Sequence, residues 1–185
     1  MSRLALLPAA LLALVLAGCG TPSQPLPMAV TTADALQIRS WVPDALKAQV
    51  AVAPVKGGMA TGRWWGSMVS AVALQQALDE SLHAVGMRPP GPTPAPRFEL
   101  KAEMVQLEQP LIAAANVTVG VSVRYTLVDR HDGQVLVYQR LIANEEEARL
   151  LEAVVSPSER LRIANERAIR ANISLMLRDL VTLRP

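Results

Sequence analysis

Residues 117–129 decide the fold, and they read VTVGVSVRYTLVD. Apolar and polar residues alternate along this run, which is the period of a strand with one buried face. The sequence RHDGQ follows at 130–134, and its Asp132-Gly133 pair tolerates the positive φ of a tight turn. Val135, Val137 and Leu141 then resume the apolar pattern. We therefore predict a long β-hairpin as the centre of the domain.

Working outward from the hairpin, the periods predict one further strand, then a helix and a strand, and a helix at the end of the chain. Residues 49–54 are a short β-branched run, and residues 97–104 alternate as a half-buried strand. Helical spacing runs from about Trp64 to Val85, and a last helix from Ser156-Pro157 to about Val181. On that last helix, three charged residues are expected to form a solvated face, paired at i,i+4: Arg162, Glu166 and Arg170.

This order predicts the fold class. We expect one α+β domain of order β-α-β-β-β-α, with a mostly antiparallel four-stranded sheet and two amphipathic helices packed on one face. The first strand reaches the sheet through a helix, so it can pair in parallel with a neighbour. A chain of 185 residues with 51% hydrophobic residues suits one domain of this kind.

The N-terminus carries a targeting pattern. Ser2-Arg3 precedes an apolar run from Leu4 to Leu16, too short for a permanent membrane span. The following residues resemble a bacterial lipobox, a motif in which the cysteine thiol accepts a diacylglyceryl group: Leu16, Ala17, Gly18 and Cys19. Since Gly20 is not an aspartate, the pattern favours the outer membrane over inner-membrane retention.

The predicted divisions of the chain follow from this pattern. Residues 1–18 are the signal peptide, residues 19–34 the lipidated cysteine and a tether, and residues 35–185 the periplasmic domain. The tether prediction rests on Pro22, Pro25 and Pro27, which favour an extended chain without charge. A second proline cluster, at residues 89–96, is interpreted as a stiff surface loop or as a polyproline ligand for a partner.

Candidates for chemistry are sparse. Cys19 is the only cysteine, which excludes an intramolecular disulfide and any zinc site with several cysteines. His83 is expected near a helix end and His131 in the hairpin turn, without a ligand spacing that would support a metal. The glycines at 57–62 lack the lysine-serine pair of a phosphate-binding loop. We expect no catalytic residues, no metal and no cofactor. The 18 basic and 16 acidic residues give no reason to expect nucleic acid.

The stretch Arg63-Trp64-Trp65 is the candidate interaction patch. Two of the three tryptophans lie here beside a guanidinium, in a chain with few aromatic residues. One interpretation is that the indoles close the end of the core, and the other is an exposed site for a protein, lipid or glycan partner.

Three segments carry a resemblance: QALDESL at 76–82, VRYTLVD at 123–129 and RLRIANE at 160–166. They resemble a family of small uncharacterised proteobacterial outer-membrane lipoproteins, some of which are labelled UDP-N-acetylglucosamine acyltransferase. An enzyme of that name is a hexapeptide-repeat β-helix, and this sequence has no such repeat. The element order also resembles YajG-type lipoproteins and the lipopolysaccharide-assembly lipoprotein, which implies a binding role.

The function expected from these observations is that of a lipid-anchored outer-membrane lipoprotein on the periplasmic face. It would be a non-enzymatic accessory or binding subunit, attached to the membrane at Cys19 and paired with an envelope protein. Two alternatives stay open. One is an enzyme that modifies envelope glycans or lipids, and the other is a lipid carrier with an apolar cavity between helices and sheet.

Overall fold

The structure is a computed structural model that describes residues 21–61, 67–91, 95–110, 116–131, 135–153 and 156–184. Its strands are β1 (Val50–Val52), β2 (Lys56–Gly57), β3 (Phe98–Glu108), β4 (Val117–Asp129) and β5 (Val135–Ala148). Its α-helices are α1 (Pro25–Met28), α2 (Thr32–Arg39), α3 (Ala71–Ala84) and α4 (Pro157–Leu180). Two short 3₁₀ helices lie at Asp44–Leu46 and Leu150–Glu152.

The sheet confirms the predicted α+β fold. Its strand order is β1-β3-β4-β5, and β2 also pairs with β3. The central pairs β3–β4 and β4–β5 are antiparallel, whereas β1 and β2 both run parallel to β3. The predicted hairpin is present, with Tyr125 opposite Arg140 and an irregularity after Leu127. The sheet is therefore mixed, and β2 is a strand that the sequence pattern did not indicate.

The core lies between one face of this sheet and the helices. The alternating apolar residues of β4 are buried from Val117 to Leu127, and Phe98 and Leu100 extend that face on β3. Leu74 and Leu78 of α3 and Ile169 and Ile173 of α4 are fully buried against it. Burial of these apolar side chains is the main source of stability for the domain.

Both predicted helices are present, and their ends have local causes. The Ser70 hydroxyl accepts a hydrogen bond from the Ala73 amide at 3.1 Å, so α3 begins at Ala71 and not near Trp64. Gly86 has φ +78°, which suits the residue after a helix end. The Ser156 hydroxyl caps α4, and Pro157 follows at the first helical position, as its sequence predicts.

The N-terminal segment is packed against the domain, and the prediction of an extended tether through Met28 is wrong. Residues 25–28 form α1, and Met28 is fully buried between the helices. Proline fits here because the first turn of a helix has no partner for its missing amide. The packed domain therefore reaches back to Ser23 and does not start at residue 35. The predicted signal peptide, residues 1–18, lies outside the described residues.

The same packing corrects the expectation of a solvated charged face on α4. Glu166 is buried, and its Oε1 accepts from the Gln24 amide at 2.7 Å and from Arg162 Nη1 at 2.6 Å. Arg170 Nε donates to the Pro27 carbonyl at 2.7 Å and does not extend the ion pair. The Arg162–Glu166 pair is confirmed, but this face of α4 is covered by residues 23–30.

Candidate functional site

A largely buried group of neutral polar side chains fastens four distant parts of the chain together, and we call it the Asn165 cluster. Asn165 Nδ2 donates to the Ser67 carbonyl at 2.9 Å and to the Ser23 hydroxyl at 3.4 Å. Gln109 Nε2 donates to Asn165 Oδ1 at 2.8 Å and to the same Ser67 carbonyl at 2.9 Å. Ser23, Ser67 and Asn165 are all buried, so the hydrogen bonds that Asn165 donates form away from water, whereas Gln109 closes the cluster from a half-buried position.

The cluster defines one end of the domain, which we call the Ser23 end. Gln109 directly follows β3, and the antiparallel pairing brings Glu108 opposite Gly120, near the start of β4. Ala148, the last residue of β5, pairs with Val117. At the opposite end, Phe98 pairs with Asp129 next to the β4–β5 turn, and we call this the hairpin end.

A short helix holds two leucines in solvent at the Ser23 end. It spans Leu150–Glu152, and Arg167 of α4 fixes it by hydrogen bonds from Nη1 to Glu152 Oε2 at 2.8 Å and to the Glu147 carbonyl at 3.0 Å. The Arg167 guanidinium, together with the Arg149 amide, lowers the pKa of Glu152 to about 2. Leu151 is 87% exposed and Leu150 is 39% exposed. Leucines this exposed contribute little to the core.

A methionine-lined groove of about 190 Å³ lies beside the cluster. Its apolar lining residues are Met59, Met68, Met104, Val105 and Leu107. The Ser23 amide donates to the Met68 carbonyl at 3.3 Å, so the groove adjoins the point where the N-terminal segment enters the domain. Gly57 of β2 has φ +77° and lies so close to the carbonyl of Met104, a groove residue, that a Cβ would overlap it.

The site residues that the sequence predicts lie outside the residues that the structure describes. Leu16, Ala17, Gly18 and Cys19 lie outside the described residues, and so do Arg63, Trp64 and Trp65. The flanks of the tryptophan stretch are described: the Thr61 hydroxyl accepts from the Met68 amide at 3.0 Å, and Ser67 belongs to the Asn165 cluster. The chain therefore leaves and re-enters the described structure at the Ser23 end. Both interpretations of the two indoles, one in the core and one exposed to a partner, therefore stay predictions.

A cleft of about 550 Å³ lies between β1, α3 and the second proline cluster. Gln75, Asp79 and His83 line it from one side of α3, and Arg88 Nη1 lies 3.3 Å from Asp79 Oδ1. Burial raises the pKa of Asp79, although the nearby Arg88 opposes the shift. The spacing of Gln75, Asp79 and His83 at steps of four was the sequence signal for this cleft.

The two histidines are both exposed, as expected for a helix end and a turn. The His131 amide donates to Asp129 Oδ1 at 2.9 Å within the hairpin turn. Across the described ranges, no group of three or more histidine, cysteine, aspartate or glutamate side chains is placed to hold a metal ion.

A second buried polar group lies deeper in the core and is fully used in hydrogen bonds. The Tyr125 hydroxyl donates to Asn172 Oδ1 at 2.9 Å, and Asn172 Nδ2 donates to the Ile142 carbonyl and to Asn144 Oδ1. Burial raises the pKa of Tyr125 well above its ordinary value. This arrangement joins α4 to the sheet and offers no group to a ligand.

No family model matches the chain, and no curated protein matches its sequence. Within the part of the chain that the structure describes, no helix is both long and apolar enough to cross a membrane.

Solved structures do share the fold. A candidate lipoprotein from Caulobacter crescentus CB15 is 14% identical with a TM-score of 0.52, covering 79% of this chain and 93% of that one. A Xanthomonas campestris protein of the DUF330 family is 10% identical with a TM-score of 0.54, covering 76% of this chain and 90% of that one. At such identities the likeness establishes the α+β fold that this chain shares with these bacterial proteins.

Proposed function

We propose that the chain is a lipid-anchored lipoprotein of the bacterial envelope, with the lipid on Cys19 and the folded domain on the periplasmic face of the outer membrane. The observation that carries the proposal is the Leu16–Cys19 lipobox at the end of an apolar run. A fold shared with a candidate lipoprotein from Caulobacter supports it. Each buried acyl methylene contributes about 0.8 kcal/mol, so several chains would hold the protein on the membrane.

The domain would act there as a non-enzymatic accessory or binding subunit. Two features support this role over chemistry. The buried polar side chains of α4, among them Asn165 and Asn172, are engaged in hydrogen bonds that join structural elements. His83 and His131 are both exposed to solvent, one at a helix end and one in a turn. The resemblance to YajG-type and lipopolysaccharide-assembly lipoproteins belongs to the same proposal.

The anchor is tested by lipid labelling of the full chain. We expect radioactive palmitate to label the wild type, and globomycin to cause accumulation of the unprocessed precursor. Cys19→Ala should abolish both effects because it removes the thiol that accepts diacylglycerol. Ser40→Ala, an exposed change far from the lipobox, is the control that should label normally. Palmitate on the Cys19→Ala protein would overturn the proposal.

A separate variant, Gly20→Asp, tests the assignment to the outer membrane. Gly20→Asp places an acidic residue directly after the cysteine, which resembles an inner-membrane retention signal. We expect the wild type in the outer-membrane fraction of a density gradient and Gly20→Asp in the inner-membrane fraction. If the wild type sediments with the inner membrane, the outer-membrane assignment is wrong while the anchor stands.

The second candidate function is an enzyme that modifies envelope glycans or lipids. The observation that favours it is the cleft of about 550 Å³, where Asp79 has a raised pKa beside His83 and Arg88. It predicts that a deletion strain loses a modified glycan or lipid A species, measured by mass spectrometry. Wild type would restore that species, and Asp79→Asn at equal abundance would not. Restoration by Asp79→Asn removes this candidate. For a lipid carrier we find no comparable support, since Phe98, Leu74 and Tyr125 fill the space between helices and sheet.

A further inference from the structure

We propose that the Ser23 end is a membrane-contact surface, with Leu150 and Leu151 seated in the interfacial region of the bilayer that holds the Cys19 lipid. The inference rests on the proposed function for the anchor and goes beyond it. It assigns the orientation of the domain and the chemical class of what the exposed leucines contact, which is a phospholipid surface.

The linker between Cys19 and the folded domain is short. Ser23 is fixed by the Asn165 cluster and by the hydrogen bond from its backbone amide to the Met68 carbonyl. Cys19 lies four residues earlier, and four extended residues span about 14 Å at most. The hairpin end is separated from the Ser23 end by the 13 residues of β4, about 40 Å along the strand. The Ser23 end is therefore the part of the domain that the anchor keeps near the lipid.

Leu150, Leu151 and the N-terminal start of the domain are all held by helix α4. Three consecutive residues of α4 make the contacts: Asn165 to Ser23, Glu166 to Gln24, and Arg167 to Glu152 of the short leucine helix. One turn of a helix that packs on the sheet thus fixes both the start of the domain and the leucines. Their relative positions do not depend on a loop.

The exposed surface at the Ser23 end includes large apolar side chains. Leu151 is almost fully exposed, and Met59 and Val105 are also exposed, in the groove beside the Asn165 cluster. Large apolar side chains held in water mark surfaces that contact a membrane or a partner. Charged residues that precede or follow the leucines along the chain are mixed in sign: Glu145, Glu146, Glu147, Arg149, Glu159 and Arg162. Insertion of apolar groups, and not attraction to anionic headgroups, is therefore the expected basis of contact.

The sole native cysteine makes a direct test available, because lipidation consumes its thiol. Leu151→Cys introduces a single free thiol at the Ser23 end. Leu136→Cys is the matched control, since Leu136 is 55% exposed at the other end of β5 and pairs with Val128 near the turn. Each full-length lipidated variant is labelled with an environment-sensitive fluorophore. It is then reconstituted into vesicles of phosphatidylethanolamine with a minor fraction of phosphatidylglycerol, with or without spin-labelled lipid.

We expect the probe at residue 151 to show blue-shifted emission and several-fold stronger quenching by spin-labelled lipid than the probe at residue 136. Leu150→Cys repeats the measurement if the first variant does not fold. Equal, weak quenching at both positions in a palmitate-bearing protein that floats with the vesicles overturns the inference and leaves the anchor intact. A blue shift at 151 without lipid quenching assigns the surface to a protein and also overturns it. A chain that neither carries palmitate nor floats overturns the proposed function itself.

Discussion

The two ends of the domain are built from the same strands, yet they are held together by different chemistry. At the Ser23 end, neutral amides and hydroxyls of the largely buried Asn165 cluster hold Ser23 itself, while Arg167 holds the short leucine helix beside it through Glu152. At the hairpin end, Arg97 Nε donates to Asp129 Oδ2 at 2.8 Å, and Arg97 is partly exposed.

This difference shows what each end has to withstand. A neutral, buried hydrogen-bond cluster does not respond to salt and responds little to pH, but it is costly to break because its partners cannot turn to water. The ion pair at the hairpin end is partly screened by salt because Arg97 is partly exposed, although the Asp129 carboxylate is buried and depends on that partner. The strong, salt-independent fastening lies at the end nearest the proposed anchor.

The largest expected effect comes from breaking the Asn165 cluster. Asn165→Leu keeps a similar volume but leaves the Ser67 carbonyl and the Gln109 amide without their Asn165 partner. We expect a loss of about 2–4 kcal/mol in the free energy of unfolding, measured by urea denaturation.

The control for this change lies on the hairpin strand. Gln139→Leu makes the same type of substitution at an exposed position of β5 and should change stability by less than about 0.5 kcal/mol. If both variants lose the same small amount, the cluster does not fasten the Ser23 end.

The sheet and its hairpin were predictable because their signals are local. The alternation from Val117 to Leu127 fixes which face is buried, and the Asp132-Gly133 pair indicates the turn. The cap at Ser156 is equally local and was predicted, whereas the cap at Ser70 was missed and the helix was predicted from about Trp64. What failed was the N-terminal segment, because Pro25 and Pro27 suit both an extended tether and the first turn of a helix. The face it covers on α4 lies more than a hundred residues away, as the Gln24–Glu166 contact shows.

The candidate site was harder to predict for a related reason. Asn165 occurs in a helix among charged residues, where a polar side chain normally faces solvent. Only the arrival of Ser23, Ser67 and Gln109 makes it a buried junction. Likewise, Leu150 and Leu151 resemble core residues in sequence, and their exposure follows from the Arg167 contact that holds the short helix outward.

A smaller effect is expected where the N-terminal segment crosses α4. Arg170→Met keeps the apolar stem but removes the guanidinium that donates to the Pro27 carbonyl. We expect a loss of about 1–2 kcal/mol, with faster proteolysis and hydrogen exchange confined to residues 23–39. Arg178→Met, at an exposed position of the same helix, is the control and should leave both unchanged. Faster exchange at the β4–β5 turn instead would show that the two ends are not independent.

We expect the smallest change in the free energy of unfolding from Asp129→Asn. Its effect on hydrogen exchange should be confined to the hairpin end. The Arg97 guanidinium, with a further contribution from the His131 amide, lowers the pKa of Asp129 below its ordinary value of 3.8. A carboxyl with a depressed pKa stabilises the fold above that ordinary value, and the stabilisation is lost as the pH falls through the lowered pKa. The Arg130 amide donates to the Arg97 carbonyl at 2.8 Å, so its exchange protection reports this loss.

In the wild type, protection of the Arg130 amide should decrease as the pH falls below about 4, and about 1 M salt should decrease it at neutral pH. Asp129→Asn should show lower protection that no longer changes with pH or salt, because the side chain carries no charge. Its Oδ1 can still accept from the His131 amide, so protection there should persist. Amides around Asn165 serve as the reference and should respond to neither salt nor this variant. A salt response of equal size at both ends would mean that ion pairs, and not the buried amides, fasten the Ser23 end.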